Sequence, residues 1–152
     1  MGNRSHRRLR KFYENQVEQI LGLFKEYYRE GQIDLETYYK ICEQKGIEPD
    51  PAEMPPSMQD YPYEVQVAFF IHHLLPDRWD GMSGSYFGKD MAALGALLDI
   101  YEIEDKRNII YWIKQIEARN TEKINKKLEA KRKSKERQAK GSGINSANIT
   151  RR

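Results

Sequence analysis

The sequence predicts an all-α chain of about five helices: an N-terminal helical hairpin plus a three-helix unit, with an extended basic C-terminal helix and a disordered tail. Three observations carry that prediction. Apolar residues recur at three- and four-residue steps, and no run shows the strict alternation of a strand. Five of the six prolines gather in residues 47–62, between two helical stretches rather than inside them. After Glu117 the composition stays helix-forming, but the apolar stripe is gone. The expected organisation is a hairpin over residues 1–46, a proline-rich connector over 47–60, a core unit over 61–118 and a basic extension with its tail over 119–152.

The first helix puts Leu9, Phe12, Tyr13, Val17, Ile20, Leu21, Phe24, Tyr27 and Tyr28 on one face. Gly31 supplies a left-handed stop, Asp34 is a good N-cap for a second helix over about residues 35–45, and Gly46 ends it. Ile33 and Tyr38 flank that cap at the spacing of a hydrophobic staple. Pro62 stands where the first turn of a helix tolerates proline. The helix it opens carries Val65, Val67, Ala68, Phe69, Phe70, Ile71, Leu74 and Leu75, apolar almost all round, which predicts a buried central helix ending at Pro76.

Residues 77–89 read as a loop in which Gly81, Gly84 and Gly88 let the chain turn while Trp79, Tyr86 and Phe87 pin it to the core. Asp90 caps the next helix, with Met91, Leu94, Leu97, Leu98 and Tyr101 inside. Glu104 or Asp105 opens the last one, to which Ile109, Ile110, Trp112, Ile113 and Ile116 bring the final core contacts. Gly141-Ser142-Gly143 is expected to end that helix and begin a floppy terminus.

Charge is segregated along the chain. Residues 1–13 hold Arg4, Arg7, Arg8, Arg10 and Lys11 with no acid, while residues 121–140 hold nine basic residues against three glutamates. Residues 14–120 carry ten basic and twenty acidic side chains, so a formal net charge of +3 hides an acidic body between two basic ends. Such asymmetry points to a partner surface, either a polyanion or the acidic face of another protein. The single cysteine, Cys42, excludes an internal disulfide and a cysteine-rich zinc site, and reads as a small core residue. No apolar run has signal-peptide or membrane length, so a cytoplasmic protein without a membrane partner is expected.

The motifs that suggest chemistry fail on spacing. Gly84-Ser85-Tyr86-Phe87-Gly88-Lys89-Asp90 has three residues between its glycines where a phosphate loop needs four. Asp90 also sets an acid where the helix N-terminus should attract phosphate. Gly81-Met82-Ser83-Gly84-Ser85 lacks the last glycine of a nucleophile elbow. His72 and His73 diverge by roughly 100° on a helix, and no third ligand is evident. One is expected to be a buried, hydrogen-bonded imidazole and the other to face a loop. No catalytic, cofactor or metal residue is therefore assigned, and a non-enzymatic role is expected.

Trp79-Asp80-Gly81, then Gly84, then Gly88-Lys89-Asp90-Met91-Ala92-Ala93-Leu94 resembles the pattern of small tail assembly chaperones of tailed bacteriophages. There a helix ends near a tryptophan, a glycine-spaced loop follows, and a Gly-Leu-Asp-Tyr-x-Ala-Leu-like step opens the next helix. The matching stretch spans about residues 61–98; Lys89 replaces the apolar residue and Met91 the aromatic one. The resemblance implies a non-enzymatic role in virion morphogenesis, in the host cytoplasm or on the virion, and supplies no catalytic residues. A protein partner is expected to meet Trp79, Tyr86, Phe87 and Lys89. Acidic partners or polyanions are expected at Arg4, Arg7, Arg8 and Arg10 and at Lys126, Lys127, Lys131, Arg132, Lys133, Lys135 and Arg137. The alternative is a nucleic-acid-associated accessory protein that binds phosphates without sequence preference through the same basic ends.

Overall fold

The computed structural model describes the backbone of residues 3–149 and the side chains of residues 10, 11 and 13–140. Five helices and one short hairpin follow in order: α1 (Asn3–Tyr27), α2 (Leu35–Lys45), α3 (Tyr63–Leu74), β1 (Asp77–Trp79), β2 (Tyr86–Lys89), α4 (Leu94–Ile100) and α5 (Lys106–Ile149). The helical class predicted from periodicity holds, and the helix ends follow the local chemistry. Gly31 (φ +76) turns the chain after α1, and the Asp34 carboxylate accepts the Thr37 amide at 2.7 Å to open α2. Gly46 (φ +64) closes α2 with its amide on the Cys42 and Glu43 carbonyls. Asp105 opens α5 by accepting the Asn108 amide at 3.2 Å.

The core lies where the C-terminal half of α1 meets α3 and α5. Phe24 is fully buried, with the rings of Tyr61, Phe69 and Trp112 at 5.2, 5.7 and 6.0 Å. The Phe69 and Trp112 contacts are edge-on, the arrangement that the aromatic quadrupole favours. Ile20, Val65, Ala68, Ile71, Leu98, Ile109, Ile113 and Ile116 complete the cluster, and the Arg119 guanidinium lies 5.3 Å from the centre of the Phe24 ring.

No α2 residue enters that cluster, although Cys42 is buried as expected. α1 packs its rings on α3 and α5, while α2 meets the proline connector. The Tyr38 hydroxyl accepts the Asp50 amide at 3.0 Å, and that of Tyr39 meets the Met54 sulfur at 3.8 Å. The reason is chemical. α1 brings buried Ile20 and Phe24 to the core, whereas the α2 tyrosine hydroxyls reach the Asp50 amide and the Met54 sulfur of the connector.

Three expectations are corrected. α3 is not a fully buried central helix, since it sends Val65, Ala68, Phe69, Ile71 and His72 inward but leaves Tyr63, Phe70 and Leu74 exposed. The glycine loop is not irregular either: β1 and β2 form an antiparallel pair, Asp77 opposite Lys89 and Arg78 opposite Gly88, with a bulge before Trp79 pairs Tyr86. A three-residue strand whose pairing is interrupted by a bulge is too short to show alternation, so its periodicity is silent. The α5 backbone runs through Gly141-Ser142-Gly143, where an end was expected. The expected disordered tail falls on residues 141–152, outside the described side chains.

Candidate functional site

The hairpin builds its own turn. The Asp80 carboxylate accepts the amides of Met82 and Ser83 at 3.2 and 3.1 Å and the Ser83 hydroxyl. These donors, the Ser83 hydroxyl first, hold the Asp80 carboxyl below the usual carboxylate range. Gly84 (φ +63) then returns the chain, its amide on the Asp80 carbonyl at 2.9 Å. At the open end, Lys89 Nζ lies 2.9 Å from Asp77 Oδ1, which also accepts the Tyr86 hydroxyl at 2.8 Å. Lys89 and then Tyr86 lower the Asp77 pKa, while burial, followed by the bond to Asp77, raises that of Tyr86.

The hairpin sits on α5 through polar groups. Glu117, Thr121 and Asn125 follow at four-residue steps and Arg132 seven later, so all four share one stripe of the helix. Asn125 bonds both backbone groups of Tyr86, accepting from its amide at 3.1 Å and donating to its carbonyl at 2.9 Å. Glu117 Oε1 accepts the Lys89 amide at 2.6 Å and the Thr121 hydroxyl at 3.3 Å. Its other oxygen meets buried His72 Nε2 at 2.5 Å, tying α3 to the same carboxylate. Arg132 donates to the Ser83 carbonyl near the tip. Side chains of α5 therefore do for β2 what a third strand would do.

The residues expected to meet a partner divide sharply. Trp79 and Phe87 are 51% and 59% exposed, and Met82 at the tip is 99% exposed. Trp79 is thus not the buried anchor expected of it; Tyr86, 2% exposed with its ring 4.9 Å from that of Trp79, has that place. Lys89 is turned into its pair with Asp77, its side chain 11% exposed. Neither Tyr86 nor Lys89 lies open to a partner in this arrangement. Exposed Met82 gave no periodic signal, and Glu117, Thr121 and Asn125 were readable only as polar residues four apart beyond Ile116.

Among the basic candidates, Arg10 pairs with Glu14, Lys126 with Glu122 and Lys133 with Glu129, at 2.9, 2.6 and 2.5 Å. The heptad spacing of the glutamates produces the last two, each acid meeting the lysine four residues on. Arg132 is engaged with the hairpin, whereas Lys131, Lys135 and Arg137 are exposed along α5. The side chains of Arg4, Arg7 and Arg8 lie outside the described residues.

A groove of about 770 Å³ opens beside this seat, between the end of α1, α3 and α5, and is lined by Tyr27, Tyr28, Phe70, Lys123, Ile124 and Lys127 among others. The Lys123 ammonium lies 5.9 and 5.6 Å from the ring centres of Tyr27 and Tyr28. Burial raises the Tyr28 pKa, with neighbouring Tyr27 adding to it. Its ring is thus a neutral wall at physiological pH. Lys127, likewise on the groove, has no ion pair among the described residues.

His72 is the buried imidazole the sequence predicted, and His73 is exposed. Among the described residues no group of three or more His, Cys, Asp or Glu side chains is placed to hold a metal, and no helix is long and apolar enough to cross a membrane. No family model, curated protein or solved structure matches the chain.

Proposed function

We propose that the chain is a non-catalytic interaction protein that presents its hairpin to a protein partner, in the role of a bacteriophage assembly or tail-chaperone factor. One observation carries this reading: Trp79, Met82 and Phe87 stand out from a hairpin that is held by other residues. Tyr86, Asn125 and Glu117 fix the hairpin on α5, which leaves three large apolar side chains half or more exposed. Rigidly held, exposed aromatic groups suit a binding hot spot because little side-chain freedom is lost on contact. The bacteriophage setting rests on the resemblance over residues 61–98, and a place in the host cytoplasm or on the virion follows from it.

The test is a pull-down from the native host with the parent chain and a Trp79→Ala/Phe87→Ala variant. The double variant should stay folded, melting only roughly 2–4 °C below the parent, and lose the captured partner. Retention of the same partner by the variant would remove the hairpin from the interface.

A second reading rests on Lys131, Lys135 and Arg137, which stand exposed along one helix as a phosphate-binding arm would need. Here the partner is nucleic acid, bound without sequence preference.

A further inference from the structure

We propose that the chain self-associates, the acidic turn after α4 of one copy seating in the lysine-lined groove of a second. The turn and the groove are both open surfaces, and their chemistry is complementary. Asp99, Glu102, Glu104 and Asp105 bracket Ile100 and Tyr101, which are 71% and 45% exposed. Lys106 holds Asp99, and exposed Arg107 follows. Glu102, Glu104 and Asp105 have no ion pair among the described residues. In the groove, Lys123 and Lys127 likewise have none, and its one acid, Asp77, is taken by Lys89; Glu30 and Glu122, the latter held by Lys126, line the neighbouring pocket that shares both lysines. Two ammonium groups without an acid partner, beside Tyr28 and Ile124, thus match carboxylates without a basic partner beside Ile100 and Tyr101.

The backbone of the turn adds an independent observation. The Glu102 amide bonds the Asp99 carbonyl and the Ile103 amide that of Leu98, each at 3.0 Å, which makes a Schellman end for α4. That motif puts Glu102 in the left-handed region, at φ +50, the one non-glycine residue there among those described. Glycine would fit with less strain, yet a glutamate stands at the crest of the turn. The turn thereby displays the Glu102 side chain at an exposed position.

The second copy is the occupant because the complement is carried on the same molecule. Phe70 lines the groove and meets Tyr101 edge-on at 5.1 Å, so the turn borders the Phe70 end of the groove, with the lysines further along α5. Adjoining complementary surfaces suit a two-fold pair, in which each turn enters the other copy's groove. Trp79, Met82 and Phe87 take no part, so this contact stands or falls apart from the hairpin reading.

Sedimentation of the full chain over roughly 1 μM to 1 mM tests the proposal. The parent should associate, and less so when salt is raised from about 0.1 to about 0.5 M. Lys123→Glu/Lys127→Glu and Glu102→Lys/Glu104→Lys should each weaken association by about tenfold or more through like-charge contact. Mixing the two variants should recover it, because each then meets its opposite; that recovery also shows that both are folded. Glu102→Gly should raise the melting temperature and still weaken association. A parent that stays monomeric throughout, or variants that associate like the parent, would overturn the proposal. So would a monomer whose binding to a labelled DNA duplex is lost on Lys123→Glu/Lys127→Glu, which would assign the groove to phosphates.

Discussion

The Glu117 carboxylate occupies the space that a side chain on Gly88 would need. Gly88 lies at φ +92, and a Cβ built there would overlap Glu117 Oε1 and stand 3.1 Å from Thr121 Oγ1. Gly88 is therefore required twice, once for its backbone angle and once for the close approach of α5. Glu117 in turn holds the Lys89 amide and His72, so this one position governs how α3, the hairpin and α5 meet.

Gly88→Ala should release the hairpin from α5 at a cost of about 2 kcal/mol or more, from left-handed strand strain plus the displaced carboxylate. Gly84→Ala is the control. Its Cβ would meet Arg132 Nη2 at an unstrained 3.8 Å, and φ +63 alone should cost roughly 1 kcal/mol. Thermal melts of the two variants, with amide exchange at Lys89, give the difference. Equal losses would mean that Glu117 moves aside freely.

Tyr86 and Trp79 should respond oppositely to truncation. Tyr86→Ala empties a buried site and removes the hydroxyl from Asp77, for an expected loss of about 3–5 kcal/mol. Trp79→Ala, at a half-exposed position, should cost roughly 1 kcal/mol. Chemical denaturation of both variants checks the order, and a larger loss at Trp79 would make it the anchor after all.

The caps and the core were legible because their signals are local. Gly31, Asp34, Gly46 and Asp105 each act on a backbone group within a few residues, and Phe24, Trp112 and Ile116 stand in periodic stripes. The hairpin seat was not legible for the opposite reason. Asn125 lies 39 residues from Tyr86 and His72 lies 45 from Glu117, so no window along the chain contains either pair. Aromatic content led to Trp79 as the anchor. Burial chose Tyr86 instead, because its hydroxyl reaches Asp77 while the ring stays covered.

Tyr61→Phe should stabilise the fold. The Tyr61 ring packs on Phe24, but its hydroxyl is buried with no hydrogen-bond partner among the described residues. An unsatisfied buried hydroxyl costs about 1–3 kcal/mol, and phenylalanine keeps the ring while removing it. Denaturant unfolding should show a gain of roughly 1 kcal/mol. A loss instead would reveal that the hydroxyl has a partner in solution.

Acid should loosen the hairpin through Asp77. Lys89 and Tyr86 lower its pKa from the ordinary 3.8, so the folded state binds its proton less readily than the unfolded chain. The resulting stability is present above pH 3.8 and is lost as pH falls through the lower folded value. Asp77→Asn should remove that part of the acid dependence and lower stability at neutral pH. An unchanged pH profile in the variant would place the acid sensitivity elsewhere.

The distal arm of α5 separates a protein partner from a nucleic acid. Of the seven basic residues expected there, Lys126 and Lys133 are paired with glutamates and Arg132 is spent on the hairpin. Lys127, Lys131, Lys135 and Arg137 remain, and four phosphate contacts give a slope of log affinity against log salt near −4 on duplex DNA. Reversal of Lys131, Lys135 and Arg137 together should then flatten that slope to about −1, whatever the sequence of the duplex. The arm carries no aromatic ring for stacking on bases, and its glutamates recur every seven residues. Binding near physiological salt should therefore be weak, above about 1 μM, and the same reversal should mainly slow association with an acidic protein partner. Fluorescence anisotropy with a labelled duplex at two salt concentrations decides between them: sub-micromolar binding that the reversal abolishes would make nucleic acid the partner of this arm.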